Sequence, residues 1–247
     1  MPIFRRYMFG MAAVVLPVVL SPPAHATLQL ALDVGPFSFT CVDNQACDTD
    51  PTTGIIDVGN QNIGGIAVNG SIQTSVGTLA TPNPLAVINT GSLSLINGTD
   101  VPISAVFAVS DTNFVGPVGT FALAGSGVWQ EADGSTLTMN WYNDPTNTQG
   151  AGTGNDTPGI LLDTFTSTAV GPADSFSHNA SGAISDPGLF SMTLQASGTL
   201  VAGGSLLNRG QTLIKAPTAV PEPASLSLLG LGMVGIGVVL KRRRKNG

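Results

Sequence analysis

Charge is scarce in this sequence: Asp, Glu, Lys and Arg make up only 10% of its 247 residues. Cations are scarcer still between Thr27 and Glu222, where Arg209 and Lys215 stand against fifteen acids, a net charge of −13. A body that anionic lacks the basic face that nucleic acid or an anionic bilayer requires. Asp residues placed in the turns of a soluble surface account for the acidity. Aromatic residues reach only 6%, and there are two cysteines and two histidines, His25 and His178. Nucleophilic triads and zinc sites therefore have little to draw on. No Gly-x-Ser-x-Gly elbow, phosphate loop, dinucleotide fingerprint or fixed-period repeat is present. Between residues 27 and 215 no 11-residue stretch shows a helical period.

What is there reads as β. Short runs rich in Val, Ile, Thr, Phe and Leu recur between Asn-Gly, Asp-Gly, Gly-Gly and Pro-containing turns. Strands are expected near 28–34, 37–42, 63–68, 71–76, 85–89, 92–96, 103–109, 118–123, 136–142, 160–168, 175–179 and 190–201. The fold class is all-β, a two-sheet β-sandwich of jelly-roll or immunoglobulin-like type. Two hairpins are expected, turning at Asn69-Gly70 and Asp133-Gly134, where a type I′ turn needs positive φ. The second would place Trp129, Met139 and Trp141 on one face of a sheet, as core or as an aromatic platform for a sugar. Residues 143–159 read as a long polar loop with a mobile tip.

Both ends carry addresses. Residues 1–26 have a charged Arg5-Arg6, an apolar stretch from Met8 to Leu20, and Ala24-His25-Ala26 as a cleavage site before Thr27, the layout of a secretory signal peptide. Arg5-Arg6 resembles a twin-arginine signal only in that dipeptide. At the other end, 216–220 is a linker held extended by Pro217, and Pro221-Glu222-Pro223 forbids helix through its own positions. Residues 224–240 are uncharged and long enough, at about 25 Å as a helix, for a single transmembrane span with snorkelling cations. Gly230, Gly232, Gly235 and Gly237 weaken that helix. Lys241, Arg242, Arg243, Arg244 and Lys245 follow as a stop-transfer block within the basic tail 241–247.

This order of parts resembles the PEP-CTERM sorting signal of Gram-negative bacteria, in a domain also labelled the ice-binding protein C-terminal domain. The resemblance covers 221–247. It implies that Pro221, Glu222 and Pro223 are recognised by an exosortase, an integral-membrane cysteine peptidase, and that the protein accompanies exopolysaccharide and biofilm. The expected route uses the secretion translocon and signal peptidase. The body, 27–215, would first face the periplasm on an inner-membrane span and then reach the cell surface or extracellular matrix.

Chemistry is harder to find in the body. Cys41 and Cys47 close a small loop, and a disulfide is the expected state in an oxidising compartment, with free thiols and metal ligation as alternatives. Such a loop contributes about 2 kcal/mol. Two groups, Asp43, Asn44, Asp48 and Asp50, and Asp144, Asn147, Asn155 and Asp156, offer oxygens to Ca²⁺ without EF-hand spacing; no cofactor is otherwise expected. His178 reads as a surface residue in a polar turn, with Asp174 or Asp186 as the partners a triad would use. Glu131 is the one glutamate a glycosidase pair would draw on. Asn69, Asn97, Asn155 and Asn179 head Asn-x-Ser/Thr triplets and read as turn residues. Thr136-Leu137-Thr138 and Thr164-Phe165-Thr166 read as isolated pairs, short of the Thr ranks an ice-binding face needs. The expectation is a non-enzymatic exported protein, with an exported polysaccharide-active enzyme and an ice-binding protein as the rival readings.

Overall fold

The computed structural model describes residues 28–75 and 85–215. The signal segment with Ala24, Ala26 and Thr27, the linker 216–220, and the segment 221–247 with its expected span lie outside the described residues. Among the described residues no helix is long and apolar enough to cross a membrane.

Among the described residues thirteen strands form two antiparallel sheets. Sheet A runs β10 (Ile160–Thr168), β9 (Thr136–Asp144), β12 (Leu189–Leu200), β7 (Ile103–Val115), β1 (Gln29–Val34), β2 (Phe37–Val42). Sheet B runs β11 (Ala173–Asp186), β8 (Val118–Gln130), β13 (Ser205–Lys215), β6 (Leu85–Asn97), β5 (Ile66–Thr74), β3 (Ile55–Asp57), with β4 (Gln61–Ile63) also paired to β5. From β6 onward most connections cross from one sheet to the other, so the inner faces close over a single core. Trp129, Ile72, Ile88 and Leu93 of sheet B meet Phe107, Trp141, Phe190, Leu30 and Leu32 of sheet A there. Each fully buried aliphatic side chain contributes about 1.5–3 kcal/mol.

Neither expected hairpin forms as read. Asn69-Gly70 lies inside β5, because Ile66, Val68, Gly70 and Ile72 are all buried on one face and a turn would break that alternation. Glycine is needed at 70 for a different reason: a Cβ there would collide with the Ser92 carbonyl oxygen on β6. The tight turn of this region is Gly64-Gly65, both at positive φ, which joins β4 to β5. Asp133-Gly134 does turn the chain, with Gly134 at φ +82°, but β8 and β9 then enter different sheets. Trp129 and Trp141 consequently sit in opposite sheets and are both fully buried, which removes the aromatic platform.

The strand β13, at the centre of sheet B, escapes a search for apolar alternation. Its inward positions are Leu206, Asn208, Gly210, Thr212 and Ile214, so polar and small residues interrupt the pattern. Likewise β6 runs unbroken through Thr90-Gly91, where two strands were expected, by means of a bulge.

The segment 145–159 is packed rather than a free excursion. It lies on the outer face of sheet A, where Ala151 is buried with Ala31 and Ala108. Gln29 Nε2 donates to the Ala151 carbonyl (3.0 Å), Gly154 N to Asp33 Oδ2 (2.8 Å), and Gln195 Nε2 to the Gly154 carbonyl (2.8 Å).

Candidate functional site

Among the described residues no segment covers the outer face of sheet B. Register aligns a transverse row across five strands: Asn179 on β11, Ala124 on β8, Gln211 on β13, Asn89 on β6 and Gln73 on β5. The next row holds Ser177, Ser126 and Arg209. Between the rows lies a groove of about 260 Å³, floored by Ala124 and the backbone of Gly125 and Gly210 and walled by Asn89, Asn179, Arg209 and Gln211. Its depth follows from side-chain size, because alanine and serine stand between longer amides. The bulge adds to this: Ser92 pairs with Ser71 and Thr90 with Ile72, so Gly91 is the extra residue and faces outward beside Arg209. Thr90 Oγ1 fixes the bulge from inside by accepting from Gly210 N (2.6 Å).

The polar groups of this groove are not spent on the protein. Among the described residues the side chains of Asn89, Asn179, Gln211 and Arg209 make no hydrogen bond, and Arg209 and Lys215 have no carboxylate partner. Amides present a donor and an acceptor at fixed geometry, the complement of vicinal hydroxyls.

Other clusters are occupied by their own backbone. Asp48 accepts from Asn44 N, Asp50 N and Asp57 N (3.0 Å each), Asp50 from Thr52 N (2.8 Å), and Asp43 from Gly54 N (2.7 Å). Burial pushes the Asp43 carboxyl up despite that bond, with the charges of Asp48 and Asp50 adding to the rise. Burial pulls the Asp144 carboxyl up, but the Thr146 hydroxyl, together with Thr146 N and Thr148 N (2.9 Å each), donates to it, and with the Thr148 side chain these hold it below the usual range. Asp156 accepts from Gly152 N (3.0 Å), and Asn147 pairs with Asn113. Among the described residues no three His, Cys, Asp or Glu side chains converge at metal-ligating distance. Cys41 and Cys47 form a disulfide that pins this acidic loop to β2.

His178 is in the middle of β11, not in a turn, and its partner is Asp163 on β10 (2.6 Å), not Asp174 or Asp186. It bridges the two sheets at their open edge while stacking on Phe165 (4.6 Å). The reason is topology: β10 and β11 are the adjacent edge strands of opposite sheets. Asp174 instead accepts from Val170 N (3.0 Å), and Asp186 from Asn143 Nδ2 (2.6 Å). Glu131 is an exposed turn residue at φ 50°, whereas the tryptophans are buried. Asn69 and Asn179 lie in strands rather than turns, and Asn97 is buried, tying the carbonyls of Val101, Leu200 and Val201 together.

The Thr pairs are also not isolated. Thr166 faces Thr138, Thr168 faces Thr136, and Thr136 faces Thr199, with Ser104 beyond, on the part of sheet A that 145–159 leaves uncovered. These hydroxyls bond each other, Thr138 to Thr166 (3.0 Å) and Ser104 to Thr199 (2.8 Å).

Beyond the sandwich, residues 219–245 match the model of the PEP-CTERM protein-sorting motif. The chain carries a PEP-CTERM sorting signal. That motif marks a secreted protein, exported in dependence on an exosortase, which is its processing partner, and sorted to the cell surface. No curated protein matches the chain. Solved structures similar to it include TmCBM61 in complex with beta-1,4-galactotriose, at 10% identity over 57% of this chain and 85% of that one, with a TM-score of 0.32. The infectious bursal disease virus Gt strain gives 14%, 84%, 55% and 0.32. The carbohydrate binding module CBM6cm-2 from Cellvibrio mixtus lichenase 5A gives 16%, 63%, 87% and 0.23. Likenesses of this size are to other β proteins and assign no ligand.

Proposed function

We propose that this is a non-catalytic surface protein of the cell envelope or matrix whose β-sandwich binds extracellular polysaccharide through the outer face of sheet B. The observation that carries the reading is the groove whose amides and Arg209 have no partner in the protein. Solvent-facing polar side chains are ordinarily scattered over a surface, and here four converge on one depression. The sorting signal, which marks a secreted protein, supports this reading, and the hydroxyls of a sugar chain match the amide row.

The test is sedimentation of the exported protein, purified from its native host, with the host's extracellular polysaccharide. Wild type is expected to co-sediment, and Ala124→Trp, which fills the groove from an outward position, is expected to remain in the supernatant. Equal co-sedimentation of both would remove the groove from consideration. Hydrolysis of the polysaccharide by wild type would replace the binding role with an enzymatic one.

A further inference from the structure

The groove differs from the rest of the surface in the sign of its charge. The described body holds fourteen acids and two cations. Both cations, Arg209 and Lys215, occupy outward positions of the single strand β13, and no acid occupies an outward position on β6, β8, β11 or β13. The nearest acid in the groove's own transverse rows is Asp57 on β3, three strands away, about 14 Å at the usual strand spacing. That exceeds the Debye length of about 8 Å at physiological ionic strength. Of the acids on the neighbouring edge, Asp174 is directed to the Val170 amide, and Asp163 is bonded to the ring of His178, a residue that also lines the groove.

Two further features limit what such a face accepts. Arg209 and Lys215 are six residues apart on one strand, about 20 Å, the length of several sugar units. The body around them is strongly anionic, which repels a polymer charged at every unit.

We infer that the outer face of sheet B selects an acidic heteropolysaccharide with widely spaced carboxylates or sulfates, its acid group held by Arg209 and its neutral sugars by Asn89, Asn179 and Gln211. This rests on the groove being the binding surface. Arginine suits the task because its fork meets a carboxylate in two parallel hydrogen bonds. The amides then read the neutral sugars on either side, and Lys215 meets the next acid group along the chain.

The test uses the exported protein and fluorescent oligomers of gellan, whose repeat carries a single glucuronate, of carboxyl-reduced gellan, and of polygalacturonate, charged at every unit. Wild type is expected to bind gellan about tenfold more tightly than its reduced form, the scale of one charge-assisted hydrogen bond, and more tightly than polygalacturonate. Arg209→Gln combined with Lys215→Gln is expected to bind both gellans equally, and Ala124→Trp to bind neither. If Ala124→Trp loses binding while wild type and the double variant hold gellan and reduced gellan alike, the groove stands and the acid selection falls. Preference for polygalacturonate over gellan overturns the spacing argument. If Ala124→Trp binds as wild type does, or wild type binds no oligomer, the groove itself fails. Retention of the native circular dichroism spectrum by each variant ensures that lost binding is not lost fold.

Discussion

The outer faces of the two sheets are built from much the same polar residues and hold them in opposite states. On sheet A the amides are engaged: Asn140 donates to Gln195 (3.0 Å), Gln195 donates to the segment 145–159, and Thr138 and Thr166 pair across strands. On sheet B Asn89, Asn179 and Gln211 reach into a groove and bond nothing in the protein. Composition alone does not make a binding face. Sheet A spends its polar groups on seating its own chain, because an uncovered Ala31 and Ala108 would leave apolar surface exposed, whereas sheet B has no such cover among the described residues.

The largest effect that sharpens this contrast comes from Asp111, on β7 of sheet A. Burial pushes its carboxyl up to about 7, with the Asp43 charge adding to the rise and donors from Thr74 and Thr112 opposing it. A raised carboxyl stabilises the fold while it is protonated, so its contribution is complete below pH 3.8 and is lost as pH climbs through 7. Between pH 5 and pH 8 the loss is roughly 2–3 kcal/mol. In that window Asp50, Asp144 and Asp174, whose carboxyls are lowered, are charged in both states and add no slope. Urea melts across this range are expected to show falling stability for wild type and a shallower dependence for Asp111→Asn. An unchanged slope in the variant would show that Asp111 is not the titrating group.

A smaller effect breaks the contrast directly. A Cβ at Gly154 would collide with the Val106 carbonyl, so Gly154→Val is expected to unseat the segment 145–159 at a cost of about 1–3 kcal/mol. Limited proteolysis should then cut within 145–159 in the variant and spare wild type. Resistance equal to wild type would mean the segment does not depend on that close approach.

The smallest effect concerns the Thr ranks. Removing one hydroxyl pair with Thr138→Val should cost ~0.2–1 kcal/mol and leave polysaccharide co-sedimentation as in wild type. A loss of binding there, with the fold intact, would move the site from sheet B to sheet A.

Local sequence was enough for the parts whose signal is local. The apolar alternation of β1 and β2 and the turn at Gly134 follow from side-chain period and from the φ that glycine permits, and the sorting motif is a contiguous string. The sites behaved otherwise. β13 hides its strand because its inward residues include Asn208, Gly210 and Thr212, whose burial depends on partners in β6, β8 and β9. Without that strand Arg209 and Gln211 have no neighbours, and the groove cannot be assembled on paper. His178 met Asp163 rather than the acids nearer to or beyond it in sequence, because crossover connections make edge strands of opposite sheets adjacent. The sequence by itself determined the β class, the turn at Gly134 and the address at its C-terminal end, each set by residues within a few positions of one another. Tertiary structure alone decided which polar residues are consumed and which face outward unpaired, because that depends on strand order and register, which join residues as distant as Thr90 and Gly210.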